Sequence, residues 1–305
     1  MISCLSISDA YVVEAQLLRT FVAVARLASF SAAAAELGYT QAAVSQHIAT
    51  LEGDLKVSLL TRRPVSPTEA GRRLLEHAAP ILLRLDAARA DVTRLAGALQ
   101  GRLHVGASPL AATGLAVPLA ALRSPMPRLE VTVRVADRET VAAEVAAGRL
   151  DIGLVDGLAA PSDPLRLSEV SPLTAVGVAE EQPVVILPGS HPLARRAGLR
   201  LADLIDARWI AAPGVAAPLG DLRRAAGTDG FRAALRYEGT DVGMLIALAA
   251  AGHGLTLLPG PAAERFAGVA KVPVTSPRLI HRTEMLHGSI GADSPAAALA
   301  AILTR

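Results

Sequence analysis

Cysteine is nearly absent. The 305-residue sequence has one, Cys4, so no internal disulfide can form and a switch built on a cysteine pair is excluded. Long hydrophobic runs are missing as well. Although 51% of the residues are hydrophobic and the mean hydropathy is +0.40, no run of about twenty apolar residues escapes charge, proline or glycine. The high value reflects alanine more than leucine or isoleucine, and no membrane association is expected. The opening MISCLSISDA lacks the basic start and long apolar core of a secretory signal, which points to the cytoplasm. Seven histidines, at 47, 77, 104, 191, 253, 281 and 287, show no ligand spacing such as H-x-x-x-H, so neither a metal nor another cofactor is expected. Catalytic signatures are equally scarce: there is no G-x-S-x-G elbow, no Walker loop, and no histidine and carboxylate that sequence brings together. Gly252-His253-Gly254 is too short for a nucleotide fingerprint and reads as a turn. An enzyme is therefore the disfavoured class. Finally, there is little excess charge of either sign: 30 Lys and Arg against 28 Asp and Glu leave +2. Whether the chain can hold DNA depends on where its cations lie.

They lie next to a helix-turn-helix pattern. Ser31 is the expected N-cap of Ala32 to Leu37, a run of small helix formers that lets a second helix approach closely. Gly38 ends it, because glycine adopts the left-handed conformation of a C-terminal cap at little cost. Thr40 caps the next helix, in which Val44, Ile48 and Leu51 recur at i, i+4 and i+7 as one apolar face. The opposite face carries Gln41, Ala42, Ser45, Gln46 and Ala49. Ordinary surface helices present Lys and Glu there, whereas amides and small groups suit base edges: glutamine bonds bidentately to adenine, and a small side chain contacts the thymine methyl. Taken alone the stretch also fits an alanine-rich hairpin in a bundle core.

The flanks favour DNA. Leu17, Leu18, Phe21, Val22, Val24, Ala25 and Leu27 form an apolar helix that completes a three-helix unit. Lys56, Arg62, Arg63, Arg72 and Arg73 follow, with Glu69 the one acidic residue among them, and the prolines 64 and 67 shape a basic loop suited to phosphate or minor-groove contact. From Thr68 the residues Leu74, Ala78, Ile81, Leu85, Ala88, Val92, Leu95 and Leu99 step by four and three, a heptad seam expected to pair with a second subunit. Pro80 should bend that helix near Glu76.

Residues 17 to 99 resemble the winged helix-turn-helix and linker helix of LysR-type transcriptional regulators. The resemblance rests on Phe21 with Val24-Ala25, on Ser29-Phe30-Ser31 with Ala33-Ala34 and Leu37, on Gln41-Ala42-Ala43-Val44-Ser45 with Ile48 and Leu51-Glu52, and on Thr68-Glu69-Ala70-Gly71-Arg72. The sequence departs from the pattern at Lys56, where glycine is usual, at Leu60, where phenylalanine is usual, and in a short wing, Arg62 to Pro67. The resemblance implies DNA contacts from Ser31, Thr40, Gln41, Ala42, Ser45, Gln46, Arg62 and Arg63.

From Gly101 the chain changes to alternating apolar strands and amphipathic helices, an α/β pattern. Strands are expected at 103–107, 129–135, 151–155, 183–187 and 209–211, and helices at 113–122 and 140–147. The pieces A-A-G-R-L-D-I-G (146–153), H-P-L-A (191–194), L-A-D-L (201–204) and A-A-A-G-H-G-L-T-L-L-P (249–259) resemble the effector-binding domain of the same regulators, which is similar in fold to periplasmic binding proteins. The expected organisation is an extension at 1–14, a winged helix-turn-helix at 15–67, a linker helix at 68–100, and a two-lobed effector domain at 101–305, with lobe I at about 101–180 and 260–305 and lobe II at about 181–259. Carried over by position, the ligand would touch Ser108-Pro109, Asp137-Arg138, Asp156, Ala212-Pro213-Gly214 and Gly239-Thr240-Asp241 between the lobes. Arg138 and Ser108 suit a small anionic ligand. The same residues also fit blander roles: Ser108 and Thr240 as helix caps, Asp137 and Arg138 as a solvated pair, Asp156-Gly157 as a turn. The partners implied are a two-fold-symmetric duplex, a small-molecule effector, and further copies of the chain as dimers or tetramers.

Overall fold

The computed structural model describes residues 14–97, 101–167 and 173–304. Cys4 and Leu99 lie outside these residues, as do the side chain of Leu95 and nearly all of the expected 1–14 extension. The chain divides into two units, at Asp86.

In the first unit, helices α1 (Ala15–Leu27), α2 (Phe30–Leu37) and α3 (Gln41–Leu55) precede a hairpin of β1 (Leu60–Arg62) and β2 (Val65–Pro67), and the long helix α4 (Glu69–Gly97) leads out of the unit. The core forms where the apolar stripes meet: Phe21 and Val24 from α1, Phe30, Ala33 and Ala34 from α2, and Val44, Ile48 and Leu51 from α3. The alanines of α2 allow the close approach that larger side chains would prevent. Gly38 caps α2 with φ 71, as its position after Leu37 led one to expect. Ser31, however, is not the N-cap. Ser29 is, its hydroxyl accepting from the Ala32 amide at 3.2 Å, and Phe30 opens the helix. Either serine satisfies the local capping rule; burial of Phe30 in the core sets the register and moves the start two residues upstream. At the other end of α3, Lys56 takes the left-handed C-cap conformation, φ 54, at a cost of about 1 kcal/mol that glycine would avoid.

The heptad seam is divided. Leu74 and Ala78 pack with Leu18 and Val22 of α1, together with Leu82, so this half of the stripe is filled within the chain. Ile81, Leu85 and Val92 are 46%, 43% and 70% exposed. Pro80 lies inside one continuous helix.

Among its described residues the second unit contains two larger sheets and a separate two-stranded one. The first has the order β4-β3-β5-β13-β6, built from β3 (Arg102–Ala107), β4 (Glu130–Val135), β5 (Ile152–Ala159), β6 (Thr174–Glu181) and β13 (Ile280–His287). Strands β3, β4 and β5 are parallel, and β13 runs antiparallel to β5 and β6. Helices α5 (Ala116–Arg123), α6 (Arg138–Ala146) and α9 (Pro295–Leu303) accompany it. The central strand β5 is buried along almost its whole length, as a strand covered on both faces must be. Gly153 lets α6 close on it: a Cβ there would stand 2.7 Å from Val141 Cγ1 and 2.8 Å from Val145 Cγ2.

The second sheet has the order β11-β7-β12-β8, from β7 (Pro183–Pro188), β8 (Leu199–Arg200), β11 (Thr256–Pro259) and β12 (Val269–Ser276). Beside it are the parallel pair β9 (Trp209–Ala211) and β10 (Ala233–Arg236) and the helices α7 (Leu219–Ala226) and α8 (Val242–Ala250). Trp209 and Phe231 stack edge-on in its core with Leu219 and Leu222. The chain crosses between lobes at Gln182 and again at 277–279. The return is therefore later than the expected 260: β11 and β12 both pair with β7, and their hydrogen bonds hold 256–276 in lobe II.

Candidate nucleic-acid interface and ligand cleft

Helix α3 is fixed from inside by its apolar face and by His47, whose Nδ1 lies 3.0 Å from the hydroxyl of buried Thr20 while its ring meets Tyr39 edge-on. What remains outside is the expected set. Gln41, Ala42, Gln46 and Ala49 are exposed and Ser45 is half-buried. Thr40 caps the helix, accepting from the Ala43 amide at 3.1 Å, and its role is thus partly structural. Ser31, freed from capping, donates to Gln41 Oε1 at 3.1 Å and joins the amide to the outer face of α2.

The hairpin beyond α3 is a short wing held by side chains. Thr61 Oγ1 donates to Pro64 O at 2.6 Å and meets Ser66 Oγ at 2.8 Å. Glu52, near the end of α3, accepts from the Leu59 and Leu60 amides at 2.7 and 3.1 Å, tying the wing to α3. The pattern Leu-Glu was visible in the sequence, but nothing local shows that its carboxylate buttresses the wing. Arg62 sits 5.1 Å from the Phe30 ring centroid and 3.8 Å from Glu52 Oε2. Arg63 stands exposed at the turn and makes no ion pair among the described residues.

In the second unit, Ser108 follows directly on β3 and is 3% exposed. Its amide donates to Leu154 O at 2.8 Å and its hydroxyl donates to Asp156. Asp156, 6% exposed, lies inside β5 rather than in a turn, and its other oxygen is 2.9 Å from Nε2 of His281 on β13. The structure thus brings two expected residues together, with a third that sequence reasoning missed. Their polar atoms satisfy one another, as burial demands. Pro109 is buried beside them, and Leu110 reaches the lobe II cluster of Ala212, Val215 and Leu245.

Asp137 caps α6. Burial alone would raise its pKa, but hydrogen bonds from the Thr140 hydroxyl (2.6 Å) and amide (2.9 Å) prevail and hold it below the ordinary 3.8. The cap's contribution is present at neutral pH and fades as acid protonates the carboxylate. Arg138 points across to lobe II, its Nη2 3.4 Å from Oδ2 of Asp221 on α7. Gly214 packs against backbone, since a Cβ would lie 2.7 Å from Gly239 O. Asp241, not Thr240, caps α8, accepting from the Gly243 and Met244 amides at 2.7 and 3.2 Å; Thr240 is exposed. A cavity of about 560 Å³ opens at the crossovers, lined by Glu180, Gln182, Thr275 and Arg278 among others, and shares no lining residue with the expected ligand set.

A helix-turn-helix with an amide-bearing outer face, joined by a long helix to a two-lobed α/β domain, defines a DNA-binding regulator with a ligand-binding domain. Comparison with known proteins gives the family. Residues 15–72 match the model described as bacterial regulatory helix-turn-helix protein, lysR family, and residues 96–302 match the LysR substrate binding domain. The chain belongs to the LysR family: it is a DNA-binding transcriptional regulator with an effector-binding domain, and not an enzyme. It is 30% identical over 259 residues to the HTH-type transcriptional regulator AlsR of Bacillus subtilis (strain 168), covering 83% of this chain and 82% of that protein. A probable hydrogen peroxide-inducible genes activator of Mycobacterium xenopi is 38% identical over 179 residues, 58% of this chain and 90% of that protein. The crystal structure of full-length CbnR complexed with its target DNA shares the fold at 23% identity and TM-score 0.52, covering 95% of this chain and 98% of that one.

Proposed function

We propose that the chain acts in the cytoplasm as a homo-oligomer that reads a promoter with α3 of paired subunits and answers to a small, anionic effector held between the lobes. The observation that carries the reading is the outer face of α3: exposed Gln41, Ala42, Gln46 and Ala49, free of bulky or charged side chains on a helix whose opposite face is wholly buried. Exposed Ile81, Leu85 and Val92 on α4 supply an apolar strip that pairing of two chains would cover. No described helix is long and apolar enough to cross a membrane. Ligand in the cleft would change lobe geometry, the separation of the recognition helices and the bend of the DNA. Footprints that stay identical in extent and bend with and without a stabilising metabolite would remove the effector from this scheme.

Gln46→Ala is expected to weaken binding to the cognate site by about 1 to 3 kcal/mol while sparing random DNA, as loss of a base contact does. An equal loss on both duplexes would make Gln46 a positioning residue. Arg62→Ala and Arg63→Ala are each expected to weaken both duplexes and flatten the dependence of log K on log salt by about one unit, the signature of a lost phosphate contact. Titration at several salt concentrations decides it, and an unchanged slope strikes that arginine from the phosphate contacts.

A further inference from the structure

Arg138 opens α6 in lobe I, and Asp221 lies in the first turn of α7 in lobe II; the pair is 83 residues apart in sequence. Their side chains are each 18% exposed, and the contact at 3.4 Å is long and made through one nitrogen. Each partner is also held from its own side. Arg138 Nε is 3.5 Å from Glu139 Oε1, and Asp221 accepts from Arg224 one turn along α7. Gly157 provides the room: a Cβ there would stand 2.7 Å from Arg138 Nη1, so a bare backbone lets the guanidinium lie along β5 one residue beyond Asp156.

We infer that Asp221 is an internal stand-in for an effector carboxylate: it holds Arg138 across the cleft, and a carboxylate ligand binds by displacing it and releasing one lobe from the other. This rests on the effector reading above. A guanidinium presents five donors in a fork matched to a carboxylate, so a mobile ligand making two short bonds outcompetes a tethered side chain making one long bond. Displacement leaves no buried charge alone, because Asp221 keeps Arg224 as its partner. Glu139, 45% exposed, shares Arg138 from the lobe I side.

Acetate tests the idea on the full-length chain without DNA. In Asp221→Ala, sodium acetate at about ten times its Kd should raise the melting temperature about 2–4 °C above sodium chloride of equal ionic strength, the scale for a domain of this size. The parent chain should shift less, since its own carboxylate competes, and Asp221→Ala combined with Arg138→Gln should not distinguish the two salts. Should Asp221→Ala fold poorly, the isosteric Asp221→Asn serves in the same comparison. Equal responses to acetate and chloride in the single variant, or an acetate response that survives loss of Arg138, overturn the proposal. Failure of the effector reading registers elsewhere, in footprints that ignore metabolites while acetate still replaces Asp221.

Discussion

Asp156→Ala is expected to lower the stability of the second unit by about 3 kcal/mol, the upper end of the cost of stripping a shared acceptor from buried hydrogen-bonding groups. Asp156 is 6% exposed, and the groups it serves, Ser108 and His281, are 3% and 4% exposed. Its two oxygens take the Ser108 hydroxyl and the His281 ring, so alanine leaves the ring without this partner and the hydroxyl with only its longer bond to Leu154 O at 3.3 Å, where water cannot readily replace the carboxylate. The damage would also reach across the sheet, because Ser108 directly follows β3, Asp156 lies in β5 and His281 in β13, which pairs with β5 through Thr283 opposite Asp156. Asp156→Asn keeps the shape and an acceptor for Ser108, and is expected to cost less than half as much. Urea unfolding of the parent and both variants measures this; a loss under about 1 kcal/mol for Asp156→Ala would mean that water enters and the network is not closed.

Gly71→Ala is expected to destabilise the first unit by about 3 kcal/mol, at the upper end of overpacking costs. A Cβ at Gly71 would stand 2.1 Å from the Leu59 carbonyl oxygen. That carbonyl cannot swing away freely, for it accepts from the Thr68 amide at 2.9 Å while the Leu59 amide is held by Glu52 at 2.7 Å. Relief has to come from moving the first turn of α4 off the strand that enters the wing, and the wing carries Arg62 and Arg63. Thermal melting and DNA titration should therefore fall together. A variant with an unchanged melting temperature would show that α4 shifts here at no cost.

Both sites show what was legible in the sequence and what was not. The helices of the first unit and the face of α3 were legible because they depend on neighbours one or two turns away: Val44, Ile48 and Leu51 repeat with the period of the helix, and Gly38 and Thr40 cap by rules that act within four residues. Gly71 stood out only as part of a family pattern, and the Leu59 carbonyl that forbids a side chain there emerges only when α4 docks. Ser31 was misplaced as a cap because two serines satisfy the same local rule, and burial of Phe30 decides between them. Arg138 was singled out, but nothing near it in sequence names its partner Asp221, 83 residues away.

By itself the sequence determined the class of protein: a helix-turn-helix with an exposed face of amides and small residues, a basic wing, and an alternating α/β domain, all written in short-range periodicity and capping. Tertiary structure alone decided that half the α4 seam is spent on α1, that the chain returns to lobe I only after β12, that Ser108, Asp156 and His281 close on one another, and that Arg138 reaches Asp221. The reason is physical. Hydrogen-bonded strands and buried polar groups choose partners by proximity in the folded chain, and sequence distance carries no record of that choice.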